Sequence, residues 1–318
     1  MIELERWRRH ASALAVALAL SACGGSDDDT PTVAPQTAAV PAASEPGAPV
    51  LSTNIPADGL AWINYRRAQI GVPVLQRNAI IDTAAQGHSD YQKTNNLVSH
   101  EQTAGKPGFT GVDTEARLRR AGYQFGFNGY AGEVISATSS KSGFYMAEEL
   151  ITAIYHRFAI FEPKFREIGT GAATTTAGYT YFTSNFASTT TVNAGLGRGL
   201  MVHWPVSSQS LVPTNFLSDN ETPDPVANAN EVGYPISVHA DAGAQIRVGS
   251  FTLRQRGATS DLAVKLLSPG GDEHTANSVA AIVPLAVLRA NTAYDVTFRG
   301  TVDGVLADRT WSFSTRSN

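Results

Sequence analysis

The 318-residue chain has one cysteine and three methionines. It has no apolar run of the roughly 20 residues that a membrane-spanning helix needs. A lone cysteine, Cys23, excludes an internal disulfide, so stability has to come from core burial. Charged residues make up only 16% of the chain and the net charge is −4, with no basic run beyond the first nine residues. That balance argues against a nucleic-acid or other polyanionic partner. Catalytic signatures are also missing: no Gly-x-Ser-x-Gly, phosphate loop, His-Glu-x-x-His or calcium loop occurs. The glycine-rich stretch Gly195-Leu196-Gly197-Arg198-Gly199 lacks the strand–helix context of a phosphate site and reads as a connector. With 42% hydrophobic residues the chain is nonetheless globular and long enough for two domains.

The first feature present is a leader. Arg6, Arg8 and Arg9 precede an uncharged stretch from Ala11 to Leu20, the pattern of a secretory signal over residues 1–22. Leu20-Ser21-Ala22-Cys23 resembles the lipobox of bacterial lipoproteins. That resemblance implies lipidation of Cys23, export and anchoring in the cell envelope. Gly24 in place of Asp implies outer-membrane sorting. A cysteine committed to lipid also leaves no thiol for catalysis. Residues 23–54 are rich in Gly, Ser, Asp, Thr, Pro and Ala and bury too little to offset their ordering entropy, so they read as a flexible tether.

Helical patterns follow. Asp58 is expected to cap a helix through Leu60, Ile63, Tyr65 and Arg67 that stops at Gly71 and Pro73. A second is expected over residues 78–94, a third over 114–121 between Asp113 and Gly122, and a fourth over 146–158. The period then changes: residues 179–186 are β-branched and aromatic, hence a strand. Prolines punctuate the sequence after Leu200. Strand candidates come next at 236–239, 244–254, 262–267, 294–299 and 310–315. Helices first and strands later give an α+β class. The expected order is a first domain over 55–195, a connector over 196–217 and a β-sandwich over 218–318. Residues 288–315 resemble the last strands of bacterial Ig-like modules.

Three of the six histidines beyond the leader, His88, His100 and His156, fall in the helical region. Imidazole is both the commonest metal ligand and the usual acid–base group near neutral pH. Each has a bland alternative: His88 as a satisfied core residue, His156 as a helix-end cation favoured by the dipole. His203, His239 and His274 have no evident spacing and read as incidental.

The order of elements carries more than any one residue. Asn64 and Arg67, Leu75, His88 and Tyr91, Ser99-His100, Phe109-Thr110-Gly111, Gly132-Glu133, His156-Arg157 and Ile168-Gly169-Thr170-Gly171 together resemble the CAP superfamily in its cysteine-free bacterial branch. The resemblance spans roughly residues 57–187. It implies an α–β–α sandwich with a cleft where two histidines and two acids converge. By motif these include His100, Glu133 and His156, with the histidines holding a divalent ion such as zinc in some members, so that zinc or magnesium is the expected cofactor here. The family's Gly-Glu-Asn is Gly132-Glu133-Val134 here, and the second acid has no clear counterpart. His88, Glu101 and Glu149 are cleft neighbours, and Glu148 and Glu162 are further acidic candidates.

Three functions remain open on this reading. The first is a binding module for a divalent metal, a lipid or a cell-wall fragment. The second is a metal-assisted hydrolase with Glu133 as general base. The third is an envelope scaffold.

Overall fold

Short-range signals fix where the helices begin and end. In the computed structural model, residues 45–127, 129–188 and 195–317 are described; the leader, Cys23 and most of the tether lie outside them. Helix α1, Ile55–Ile70, is capped by the Asn54 side chain and ends at Gly71, whose φ of 87° is the left-handed conformation glycine adopts freely. Asn54, not Asp58, is therefore the cap. Asp58 sits in the first turn, where its carboxylate accepts from the Ser52 N–H at 2.9 Å and hydroxyl at 2.6 Å. Helix α2, Ala79–Asn95, is capped by Asn78, and α3, Thr114–Ala121, by Asp113 with Gly122 behind it. The single helix expected over 146–158 is two. Helix α4, Gly143–Thr152, and α5, Ile154–Ile160, are separated by Ala153 in extended conformation. His156 consequently lies in the first turn of a helix, not near its C-terminal end, and the dipole argument for a cation there is reversed.

Four strands form the sheet between these helices: β1 (Gln76–Arg77), β2 (Tyr130–Thr138), β3 (Glu167–Thr174) and β4 (Thr180–Ser188), in the order β1-β3-β4-β2. Helices α2 and α3 cover one face and α1, α4 and α5 the other, giving three layers. Gly169 and Gly171 of β3 explain how close α2 comes. A Cβ at either position would stand 2.2 Å from the α2 backbone, so only glycine lets this helix lie directly on the strand. That seating carries His88, on the same helix, toward Glu133 of the edge strand β2.

The C-terminal half is all β. One sheet runs β10 (Ile246–Gln255), β13 (Ala293–Val302), β15 (Arg309–Thr315) and β6 (Gln209–Val212), with β14 (Val305–Leu306) paired to β13. The facing sheet runs β11 (Val264–Leu267), β12 (Val279–Pro284), β9 (Ile236–His239) and β5 (Val202–Trp204). A small hairpin joins β7 (Asn215–Leu217) to β8 (Glu231–Gly233). The stretch expected as a connector thus carries three strands, two of them paired into the main sheets. Strand β12 escaped the sequence reading because both its faces are buried. Ala280 and Ile282 join the sandwich interior, while Val279, Ala281 and Val283 pack with Ile154 and Phe158 of α5. A strand buried twice shows a continuous apolar run and no alternation.

The two halves are packed on each other rather than strung apart. Trp204 of β5 lies 5.3 Å from the Phe161 ring and beneath the Arg66 guanidinium. The described end of the tether is also held, because Arg66 grips Glu45 through two hydrogen bonds of 2.5 and 2.8 Å. No helix among the described residues is long and apolar enough to cross a membrane.

Candidate functional site

Glu133 occupies the edge strand β2 on the face that turns toward α2 and α3. Its carboxylate is almost fully buried and both oxygens are engaged. Oε1 lies 3.0 Å from Nδ1 of His100, and Oε2 accepts from Arg117 at 2.6 Å. Burial alone would oppose ionisation. The Arg117 guanidinium and the His100 hydrogen bond outweigh it and hold the carboxyl well below the usual carboxylate range. Arg117, on α3, is itself buried and also donates to the His100 carbonyl at 3.0 Å. The loop bearing His100 is therefore tied at backbone and side chain to one ion pair.

His88 lies against this group without joining it. The Gln102 amide oxygen accepts from the Thr110 N–H at 2.7 Å, which turns its amide nitrogen toward Nδ1 of His88 at 2.9 Å. Nδ1 then accepts, so Nε2 carries the proton and donates to the Ser99 carbonyl at 2.8 Å. Burial pushes the His88 pKa down, against the pull of Glu133. Its 3.7 Å approach to Glu133 is accordingly not an ion pair. His88 is a satisfied core residue that braces the Ser99–His100 segment.

His156 reaches the same place from the opposite helix layer. Its ring stands 6.5 Å from the His100 ring, centroid to centroid. Its partner is a residue the sequence did not point to: Nδ1 of His156 lies 3.0 Å from Oε1 of Glu221, in the C-terminal half. His100 and His156 thus share one arrangement, in which Nδ1 faces a buried carboxylate and Nε2 is left for other use. The His100 side chain is 45% exposed and that of His156 18%, so the pair opens to solvent.

The remaining acids are elsewhere. Glu101 is exposed, and only its backbone N–H is engaged, with the Ser99 hydroxyl. Glu148 binds Trp62 and Arg66 at 2.6 and 2.8 Å inside the α1–α4 packing. Glu162 accepts from the backbone N–H groups of Lys164 and Ala242. Glu149 contacts Ser136, which strand alternation places on the face of β2 opposite Glu133. It is no cleft neighbour. Among the described residues, no three His, Cys, Asp or Glu side chains are grouped to chelate a metal.

Burial pushes the Glu149 pKa up to about 7, against the hydrogen bonds from Ser136 and Tyr145. A carboxyl raised in the fold stays protonated there while the unfolded chain ionises. Its stabilising share is therefore intact at acid pH and lost as pH climbs from the ordinary Glu value to about 7. Glu149→Gln is accordingly expected to gain on the wild type between pH 5 and pH 8, by about 2 kcal/mol in urea unfolding. A difference that does not change with pH contradicts this assignment.

Residues 60–186 match the family model described as "CAP: Cysteine-rich secretory protein family". No curated protein matches the chain. Similar solved structures include an extracellular protein containing a SCP domain from Bacillus anthracis, with 25% identity and a TM-score of 0.35. That match covers 42% of this chain and 40% of the Bacillus protein, so the chain spans well under half of it. An outer surface protein of Borrelia burgdorferi matches with 15% identity over 41% of this chain and 88% of its own, TM-score 0.35. Venom allergen-like protein 4 of Schistosoma mansoni matches with 12% identity over 42% and 88%, TM-score 0.29.

Proposed function

With residues 60–186 a CAP domain, we propose that the chain is an exported, lipid-anchored envelope protein whose cleft binds a divalent cation through Nε2 of His100 and His156. One observation carries the reading: each of these two imidazoles is backed at Nδ1 by a buried carboxylate, at 3.0 Å in both cases. That is the arrangement that fixes ring orientation and raises basicity in metal-binding histidines. Neither carboxylate is itself a ligand in this reading, because Glu133 is held by Arg117 and Glu221 by backbone amides. Two imidazoles favour zinc, cobalt or nickel over magnesium, which prefers oxygen ligands and keeps its waters.

The donor set fits a weak, open site. Two imidazoles sharing one tetrahedral zinc hold their ring centres roughly 5 Å apart. His100 and His156 therefore need to close by about 1 Å from 6.5 Å, a movement open to the half-exposed His100. Bound metal would supply a Lewis acid with water or ligand atoms in its other positions. The hydrolase reading is weaker on physical grounds. Glu133 has both oxygens engaged and is held ionised far below neutral pH, so it is a poor acceptor for a proton. The magnesium, lipid and cell-wall alternatives find no specific support in the cleft's donor chemistry.

Anchoring rests on the leader and on Cys23 behind Leu20-Ser21-Ala22. More than one acyl chain makes such attachment stable. The test is made on the full chain. His100→Ala and His156→Ala should each lower zinc affinity at least about tenfold in competition with a chromophoric chelator. Wild-type affinity in both variants refutes the site. In parallel, Cys23→Ser should leave the membrane fraction, and its retention there refutes the anchor.

A further inference from the structure

Helix α5 has no cap of its own. Its N-cap position is Ala153, which has no side chain able to accept a hydrogen bond. Glu221 fills that role from 65 to 67 residues away: Oε2 accepts from the Ile154 N–H at 2.8 Å. Oε1 accepts from Tyr155 at 2.7 Å and from His156 at 3.1 Å, in addition to facing His156 Nδ1. The carboxylate is wholly buried.

The backbone that carries Glu221 is anchored within the C-terminal half. It follows the 3-10 turn Ser218–Asn220, and its N–H donates to the Ser218 carbonyl at 3.0 Å. Ser218 is pinned in turn, its N–H on the Asn230 carbonyl and its hydroxyl on Asp224. Phe216, Val226 and Val232 around this turn pack with Ile154 and Phe158. A second grip comes from the β11–β12 loop, where Asp272 accepts from the Tyr155 hydroxyl at 3.2 Å. The first turn of α5, and the imidazole on it, is therefore held by the C-terminal half on two sides.

We infer that the cleft is bipartite: Glu221 of the C-terminal β region is the positioning residue for His156, so cation binding by the N-terminal half requires the docked β region. The inference rests on the zinc reading above. It also assigns the β region a part in binding, in place of a separate scaffold role. Occupancy and docking are then linked, each strengthening the other by the same factor.

Glu221→Gln separates positioning from mere capping. The single glutamine oxygen, in the place of Oε1, still accepts from the Tyr155 and His156 amides, and only the Ile154 N–H loses its acceptor, while the negative charge behind the imidazole is gone. Zinc affinity of the full chain is compared for the wild type, Glu221→Gln, Glu221→Ala and Lys164→Ala. The last removes a different bridge between the halves, from Lys164 to the Ala242 carbonyl. Glu221→Gln is expected to keep its melting temperature within a few degrees and to bind zinc about tenfold more weakly. Its cobalt(II) complex should show an altered visible spectrum. Lys164→Ala should bind like the wild type. Wild-type affinity and spectrum in Glu221→Gln overturn the inference while leaving the site standing. A wild type that binds no zinc overturns both, and an equal loss in Lys164→Ala shows that loosening the halves, not the charge of Glu221, weakens binding and overturns the positioning role given to Glu221.

Discussion

Arg157→Ala is expected to cost about 3–5 kcal/mol, a large part of the 5–15 kcal/mol that holds a typical protein folded. Arg157 has no exposed surface, and its hydrogen bonds among the described residues go to no carboxylate. Burial lowers its pKa, yet three of its hydrogen bonds go to carbonyls and one to the Ser237 hydroxyl. Nε donates to the Ile151 carbonyl at 2.5 Å, and the terminal nitrogens to Pro235 at 2.7 Å and Thr152 at 3.3 Å. The guanidinium also lies 4.8 Å from the centre of the Tyr234 ring. Ile151 and Thr152 belong to the N-terminal half, Tyr234 and Pro235 to the β region, so this one side chain ties both. Alanine leaves those carbonyls unpaired and opens a cavity at the interface. Lysine should not rescue it, because one ammonium cannot reproduce a planar fork directed at several acceptors. At roughly 2–4 °C per kcal/mol for a protein of this size, the melting temperature should fall by about 10 °C. A fall of less than 2 °C contradicts the role given to Arg157.

Glu133→Ala should be nearly as damaging, for a different reason. It strands Arg117, a fully buried cation, beside a pocket that no longer holds its partner. Breaking one side of a buried pair costs about 3–5 kcal/mol, whereas replacing both sides with apolar groups costs much less. The double variant Glu133→Leu with Arg117→Met should thus be more stable than Glu133→Ala in urea unfolding at pH 7. Additive losses from the two positions contradict the pairing. The pH sign is fixed by the depressed Glu133 carboxyl. Its stabilising share is complete above the ordinary Glu pKa and disappears only as pH falls well below it.

Several helix boundaries were legible because they are local. Asp113, Gly71 and Gly122 act within one turn of the residues they cap, and the structure uses each of them at that place, although the cap of α1 is Asn54 and not Asp58. The break between α4 and α5 was not legible, because Ala153 carries no breaker chemistry and Glu221 holds the new start from elsewhere. Strand β12 was hidden by double burial, which erases the alternation that marks a half-exposed strand. Among the acids, residue type alone could not separate Glu133 from Glu148, Glu149 and Glu162. Each is buried, and only the partners differ.

The sequence by itself carries a basic and then apolar first segment, the scarcity of charge and cysteine, several helix ends and, through motif order, the naming of His100 and His156. These follow from composition, from hydrogen bonds within a turn and from motif order, all of which a linear chain displays. Only the tertiary structure decided that His88 is locked as a neutral core group and that Glu149 lies behind the sheet. It alone brought Glu221 from the far half to stand behind His156. Those outcomes depend on which faces of α2, β2 and α5 meet across long sequence separations, and no local period encodes such a meeting.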